Sequence, residues 1–302
     1  MTDPAMTASS SARPASPADY FSLTKPRVVV MILLVTAAGF VLGTPGPVWP
    51  IDLAVLLATL AGTGLVAGGT LALNQYLESD LDARMNRTRN RPLPGGRMAP
   101  REALVFGAML AAAGLLVLAF GARPLAALVT AATLVTYLFA YTPLKRRSAL
   151  CTVVGAFPGA LPPVTGYVAA GGALDLGAAL LFGILFFWQL PHSLAIAQLY
   201  RDDYARADIL MLPTVDRTGA STGRQTVINC VWLLAVGTLP TFVGLAGWVS
   251  FTVAALLGGW MLWRSLRMAI DTSAVTARRL LLSSYVYIPA VMITLAMDRL
   301  LV

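Results

Sequence analysis

Asn74, Glu78 and Asp82 recur every four residues. A regular helix would set this amide and these two carboxylates on one face, about a turn apart. They are hard oxygen donors of the kind that hold Mg²⁺, an ion that keeps several waters and is usually shared with substrate phosphates. Asp80 falls off that face unless the helix loosens near its end. Directly after the acids come Arg84, Arg87, Arg89, Arg91 and Arg97. Guanidinium groups form paired, charge-assisted bonds to phosphate oxygens. Acids, a divalent ion and arginines together describe a clamp for a diphosphate, with Arg87 and Arg91 as candidate phosphate ligands. A solvated loop of salt bridges would account for the arginines but gives no reason for the polar stripe.

A second acidic pair, Asp202 and Asp203, stands between Arg201 and Arg206. Two acidic clusters on one side suit a diphosphate with more than one Mg²⁺, each ion neutralising departing charge. The candidate catalytic and metal-binding set is therefore Asn74, Glu78, Asp82, Asp202 and Asp203. The competing role for Asp202 and Asp203 is simple pairing with Arg201 and Arg206. Lys145 and Arg146, in the run Tyr141–Arg147, are further candidates for the diphosphate. His192 is the only histidine. It could ligate a haem iron, bond a substrate, act as a base or serve only as a hydrogen-bonded structural group.

The elements that position these residues are membrane spans. The chain has 302 residues, 57% hydrophobic and 12% charged, where soluble domains carry about 25% charge. A crossing helix needs about 20 apolar residues. Nine stretches qualify: 28–45, 52–77, 102–121, 124–142, 149–170, 177–199, 226–245, 248–263 and 281–299. Residues 225–263 carry no charge and must hold two spans, with a turn at 245–248. With the N-terminus inside, the inner segments hold 20 of the 22 Lys and Arg residues, leaving only Arg123 and Arg299 outside. That asymmetry follows the positive-inside rule and predicts a cytoplasmic N-terminus. The expected fold is all-α: a polytopic membrane protein with nine transmembrane helices around a central cavity.

Residues 1–19, rich in Ser, Ala and Pro, read as a disordered tail before a 20–302 domain. Cys151 and Cys230 suggest neither a disulfide nor a metal site. Gly155, Pro158, Gly159, Pro162, Pro163 and Gly166 predict a broken or bent fifth span that widens the bundle for a bulky ligand, and Pro191 predicts a kink in the sixth. Lys25 and Arg27 read as anchors of the first span. The net charge of +8 lies in membrane-flanking loops, which points to the lipid bilayer as partner and to no nucleic acid.

These features resemble the UbiA superfamily of intramembrane prenyltransferases. The first motif of that superfamily usually reads N-D-x-x-D-x-x-x-D and stands here as Asn74, Gln75, Glu78 and Asp82. Asn74–Arg97, Tyr141–Arg147, Trp188–His192 and Tyr200–Pro213 resemble its haem-farnesylating members more specifically, over about residues 20–300. The resemblance implies Mg²⁺-dependent transfer of a farnesyl group from farnesyl diphosphate to a vinyl group of haem B, giving haem O for haem–copper oxidases. It assigns Mg²⁺ to Asn74, Glu78, Asp82, Asp202 and Asp203, the diphosphate to Arg87, Arg91, Lys145 and Arg146, and haem to His192. It further implies a bacterial inner membrane, a site on the cytoplasmic side and a downstream haem A synthase as partner. One alternative is prenyl transfer to a quinone precursor or another aromatic or tetrapyrrole acceptor, which has no need of the Pro191-His192 pair. Another is an ion-coupled transporter, which predicts acids near mid-bilayer and inverted repeats.

Overall fold

The computed structural model describes residues 15–47 and 50–301. Every regular element among them is helical. In chain order these are α1 (Pro17–Leu23), α2 (Pro26–Gly43), α3 (Leu53–Leu77), α4 (Ser79–Arg84) and α5 (Pro100–Gly121). Next comes α6 (Pro124–Val135), which passes through a π-helical stretch, Thr136–Tyr141, into the short α7 (Thr142–Leu144). Then follow α8 (Cys151–Ala170), α9 (Leu176–Leu199), α10 (Arg201–Arg206) and α11 (Leu212–Val215). The last three are α12 (Ala220–Phe242), α13 (Trp248–Ile270) and α14 (Ala274–Leu301).

Proline opens α1, α2, α5 and α6, where its missing N–H costs nothing. Asp52 and Asp175 cap α3 and α9, accepting from Val55 N and Ala178 N at 3.1 Å each. Nine stretches among the described residues are long and apolar enough to cross a membrane, as the sequence predicts. The last three run further than expected. The charge-free window of the eighth span stops at Arg264, yet α13 continues past it to Ile270, and that guanidinium lies 4.4 Å from the Trp263 ring centroid. An aromatic face offsets part of the cost of burying such a charge.

The expected tail is shorter than 19 residues. Positions 1–14 lie outside the described residues, but residues 17–19 already belong to α1. Ser16 and Asp19 form a reciprocal capping box there, and Asp19 Oδ1 accepts from Arg97 Nε at 2.9 Å.

The fifth span is not broken. α8 is uninterrupted from Cys151 to Ala170 despite Pro158, Pro162 and Pro163, and it is the most buried of the nine. α9 likewise runs through Pro191 without a break. The glycines of α8 admit neighbours rather than widening the bundle. A Cβ on Gly166 would lie 1.9 Å from Thr36 O of α2, so the two backbones touch only because it is absent. Gly166→Ala should lower the melting temperature of the detergent-solubilised protein by the equivalent of about 1–3 kcal/mol or more. Gly259→Ala, where nothing lies within 4 Å, should leave it unchanged.

Candidate functional site

The polar stripe sits where α3 stops. Glu78 leaves helical geometry (φ −108°, ψ 14°) and α4 starts after it. The backbone bonds span the break, with Glu78 N donating to Asn74 O at 3.0 Å and Asp82 N to Glu78 O at 2.8 Å. The three side chains therefore stay aligned although the helix is interrupted. Asn74, Glu78 and Asp82 are 2%, 8% and 2% exposed.

Each has a different partner. Asn74 Nδ2 donates to Thr142 Oγ1 at 3.2 Å, and Thr142 Oγ1 donates to Tyr137 O at 2.9 Å. Lys145 Nζ lies 2.7 Å from Glu78 Oε1 and donates to Oε2 at 2.9 Å. Arg91 Nη1 donates to Asp82 Oδ2 at 2.6 Å. A buried charge without such a partner would cost several kcal/mol. The Lys145 ammonium also stands 4.4 Å from the Tyr141 ring centroid.

Lys25 is the site residue that its reading as an anchor misses. It precedes Pro26 and has left-handed backbone angles (φ 47°, ψ 64°). That conformation is strained in a non-glycine residue and persists only when the surroundings impose it. Lys25 takes no ion pair among the described residues. Burial, with repulsion from Arg91 and Lys145, pulls its ammonium down to about 7, against the pull of Asp82 and Glu78. Nothing in the sequence beyond the Lys25-Pro26 step marks it, because the polar site that it meets comes from a distant part of the chain.

The second acidic pair divides. Asp203 is buried and accepts from Asn86 N and Arg87 N at 3.3 Å each, and from the Arg206 guanidinium. Asp202 is exposed and has no side-chain partner among the described residues. Arg87 turns to the same segment, donating to Tyr204 OH at 3.2 Å and lying 4.8 Å from the Tyr200 ring centroid. Arg84 pairs with Asp208 at 3.0 Å. Asp203 is thus a clasp between two loops, not a group aimed at Glu78 and Asp82. Asp80 points away from the stripe, as expected, and pairs with the half-exposed Arg146 at 2.8 Å. Gln75 donates to Leu23 O at 2.8 Å and ties α3 to α1.

Glu78 and Arg146 border a cleft of about 370 Å³. Leu77, Leu81, Leu138 and Phe139 form its apolar walls. Phe139 is 71% exposed, so the cleft opens on the flank of the bundle.

His192 lies apart from both clusters. It is eight residues before Tyr200, about 12 Å along the helix axis. Its Nδ1 is 2.8 Å from Ser284 Oγ of α14, and its ring stacks on Trp188 at 4.8 Å. Phe186 and Phe187 pack on Phe182 and Trp232.

No three His, Cys, Asp or Glu residues converge on one point among the described residues. The Asn74–Glu78–Asp82 end nevertheless fits a hard divalent ion in donor type. Glu78 Oε1 is buried without a hydrogen bond, because the nearby ammonium is poorly aligned with it. Asp203 does not join that end.

Comparison with known proteins bears on the family and the fold. The model of the UbiA prenyltransferase family matches residues 32–287. A protoheme IX farnesyltransferase of Solibacter usitatus (strain Ellin6076) is 46% identical, over 93% of this chain and 98% of its own. Among solved structures, a digeranylgeranylglyceryl phosphate synthase superposes with a TM-score of 0.78 at 14% identity, covering 94% of this chain and 99% of that one. A UbiA homologue from Archaeoglobus fulgidus bound to DMAPP and Mg²⁺ gives 0.70 at 17% identity, with 94% and 99% covered. Nine apolar helices among the described residues, a buried polar stripe at the end of the second and a family match over most of its length place this integral, multi-pass membrane chain in the UbiA prenyltransferase family.

Proposed function

We propose that this chain transfers the farnesyl group of farnesyl diphosphate to a vinyl group of haem B, giving haem O. The observation that carries the reading is the buried stripe Asn74–Glu78–Asp82, met by cations from separate parts of the chain. The Solibacter relative, alike over nearly the whole length, supports the same pair of substrates. The basic end of the bundle is assigned to the cytoplasm of a bacterial inner membrane, following the positive-inside rule. Haem O remains apolar and passes through the bilayer to a haem A synthase.

Mg²⁺, held by the oxygens of Asn74, Glu78 and Asp82, would neutralise charge on the leaving diphosphate. Lys145 and Arg91 bind its oxygens, exchanging part of their hold on Glu78 and Asp82 for phosphate, and Lys25, which holds no carboxylate, joins them. Arg87 and Arg146 are placed to reach its outer oxygens. Asp202 is free to add an oxygen donor from the second cluster, while Asp203 holds the loop. Preorganised charges of this kind act on the departing group without having to reorganise. The rings of Tyr137 and Tyr141 flank the site and help keep water from the farnesyl cation while the haem vinyl group attacks; the cation this leaves beside the porphyrin then takes up one water and loses a proton, giving the hydroxyethylfarnesyl side chain of haem O. No covalent bond to the protein is needed.

Membranes bearing this chain, incubated with haem B and farnesyl diphosphate, should yield haem O by mass spectrometry. Prenylation of a quinone precursor with haem untouched would replace the reading. Glu78→Gln and Asp82→Asn should each cut diphosphate release about 10²–10³-fold, the loss seen when one preorganised group is removed. Asp203→Ala should instead speed hydrogen exchange at the Asn86 and Arg87 amides, with Asp202→Ala leaving those amides protected.

A pH dependence follows from Lys25. With an ammonium near 7, it is partly neutral at neutral pH, and a bound diphosphate raises that value. Binding then takes up a proton above pH 7. Affinity for farnesyl diphosphate should fall as pH rises through about 7, and Lys25→Arg should flatten the profile, as read by calorimetry.

A further inference from the structure

Ser284 meets the imidazole of His192 across the bundle. Its hydroxyl donates to Leu281 O at 2.7 Å, the local bond a helical serine commonly makes. Toward His192 Nδ1, 2.8 Å away, Ser284 Oγ is then an acceptor, and Nδ1 carries the hydrogen. A neutral imidazole has one donor nitrogen and one acceptor nitrogen, so Nε2 keeps the lone pair. The ring is also held in place. Trp188 stacks on it at 4.8 Å and is fixed by its own bond from Nε1 to Ser284 O at 2.8 Å. Tyr285 meets it edge-on at 5.3 Å. The ring is half-buried, and Nε2 has no hydrogen-bond partner among the described residues.

A lone imidazole cannot hold a bare metal ion, which needs several protein ligands. No group of three His, Cys, Asp or Glu residues among the described residues supplies them. Acid–base work would call for a charged or titrating partner, and the ring meets only a hydroxyl and two aromatic side chains. One fixed, neutral nitrogen suits a metal whose other positions are already filled, as in an iron porphyrin, which takes one axial imidazole. The flanking Trp188 and Tyr285 rings suit the flat apolar macrocycle. Depth agrees as well. Asn74 is four residues before the cap of α3 at Glu78 and His192 eight before the cap of α9 at Tyr200, so His192 lies about 6 Å further from its helix end than Asn74 does.

We propose that His192 Nε2 ligates the iron of the haem acceptor and that Ser284 is the positioning residue that sets its tautomer. This rests on the haem-farnesylating reading above and adds how the acceptor is held.

The test uses the full chain in nanodiscs, titrated with ferric haem B and followed by its Soret band. The wild type should show a histidine-ligated spectrum, lost in His192→Gly and restored by free imidazole. Ser284→Ala should weaken haem affinity about 10–100-fold, the usual effect of removing a ligand's orienting partner. Imidazole should not rescue it, whereas Ser284→Thr should. Unchanged farnesyl diphosphate affinity in all three variants would show that they fold. A wild-type spectrum in His192→Gly overturns the ligation, even where haem is still farnesylated and the broader reading survives. A wild type that binds no haem overturns both.

Discussion

Carboxylates buried at the edge of an apolar bundle must be neutralised, and the rest of the site is arranged around that need. Glu78 and Asp82 sit at the end of one long helix, where a charge without a partner would protonate or unfold its surroundings. Their counter-charges come from elsewhere in the chain: Lys145 follows the fourth span and Arg91 lies in the loop after α4. Satisfying two acids therefore fixes the positions of two loops. The same arrangement is chemically useful. In the proposed reaction, the cations that neutralise the carboxylates turn to a more highly charged ligand, and the acids are then free for a divalent ion.

The two loops at the basic end are also joined to each other. Asp203, Tyr204 and Asp208 on one side meet the Asn86 and Arg87 backbone, the Arg87 side chain and Arg84 on the other. Most of these contacts are exposed ion pairs or single hydrogen bonds, each worth little alone. Together they join the segments that follow α3 and α9. Below them the bundle is tightly packed, with α2 and α8 touching backbone to backbone.

Much of this was legible in the sequence. Span number, the buried stripe and the two acidic clusters follow from hydropathy and four-residue spacing, which depend on local order. What was not legible depends on partners far away in the chain. Asp202 and Asp203 look equivalent as neighbours, but successive positions on a helix face different ways, and only Asp203 meets the loop. The prolines and glycines of α8 read as a break because their local propensity is poor, yet burial against α2 overrides propensity. Lys25 looked like an anchor because positive residues beside a span ordinarily are. Ser284 carried no signal at all, since nothing local marks a serine that will meet a histidine 92 residues away.

The Asp203 clasp grips main-chain N–H groups at positions 86 and 87, not their side chains. Substitutions there need not disturb the path of the loop. Arg87 could become lysine, glutamine or something bulkier while the turn beneath it keeps its shape. A loop gripped by its main chain can change the side chains it presents without its path first being rebuilt.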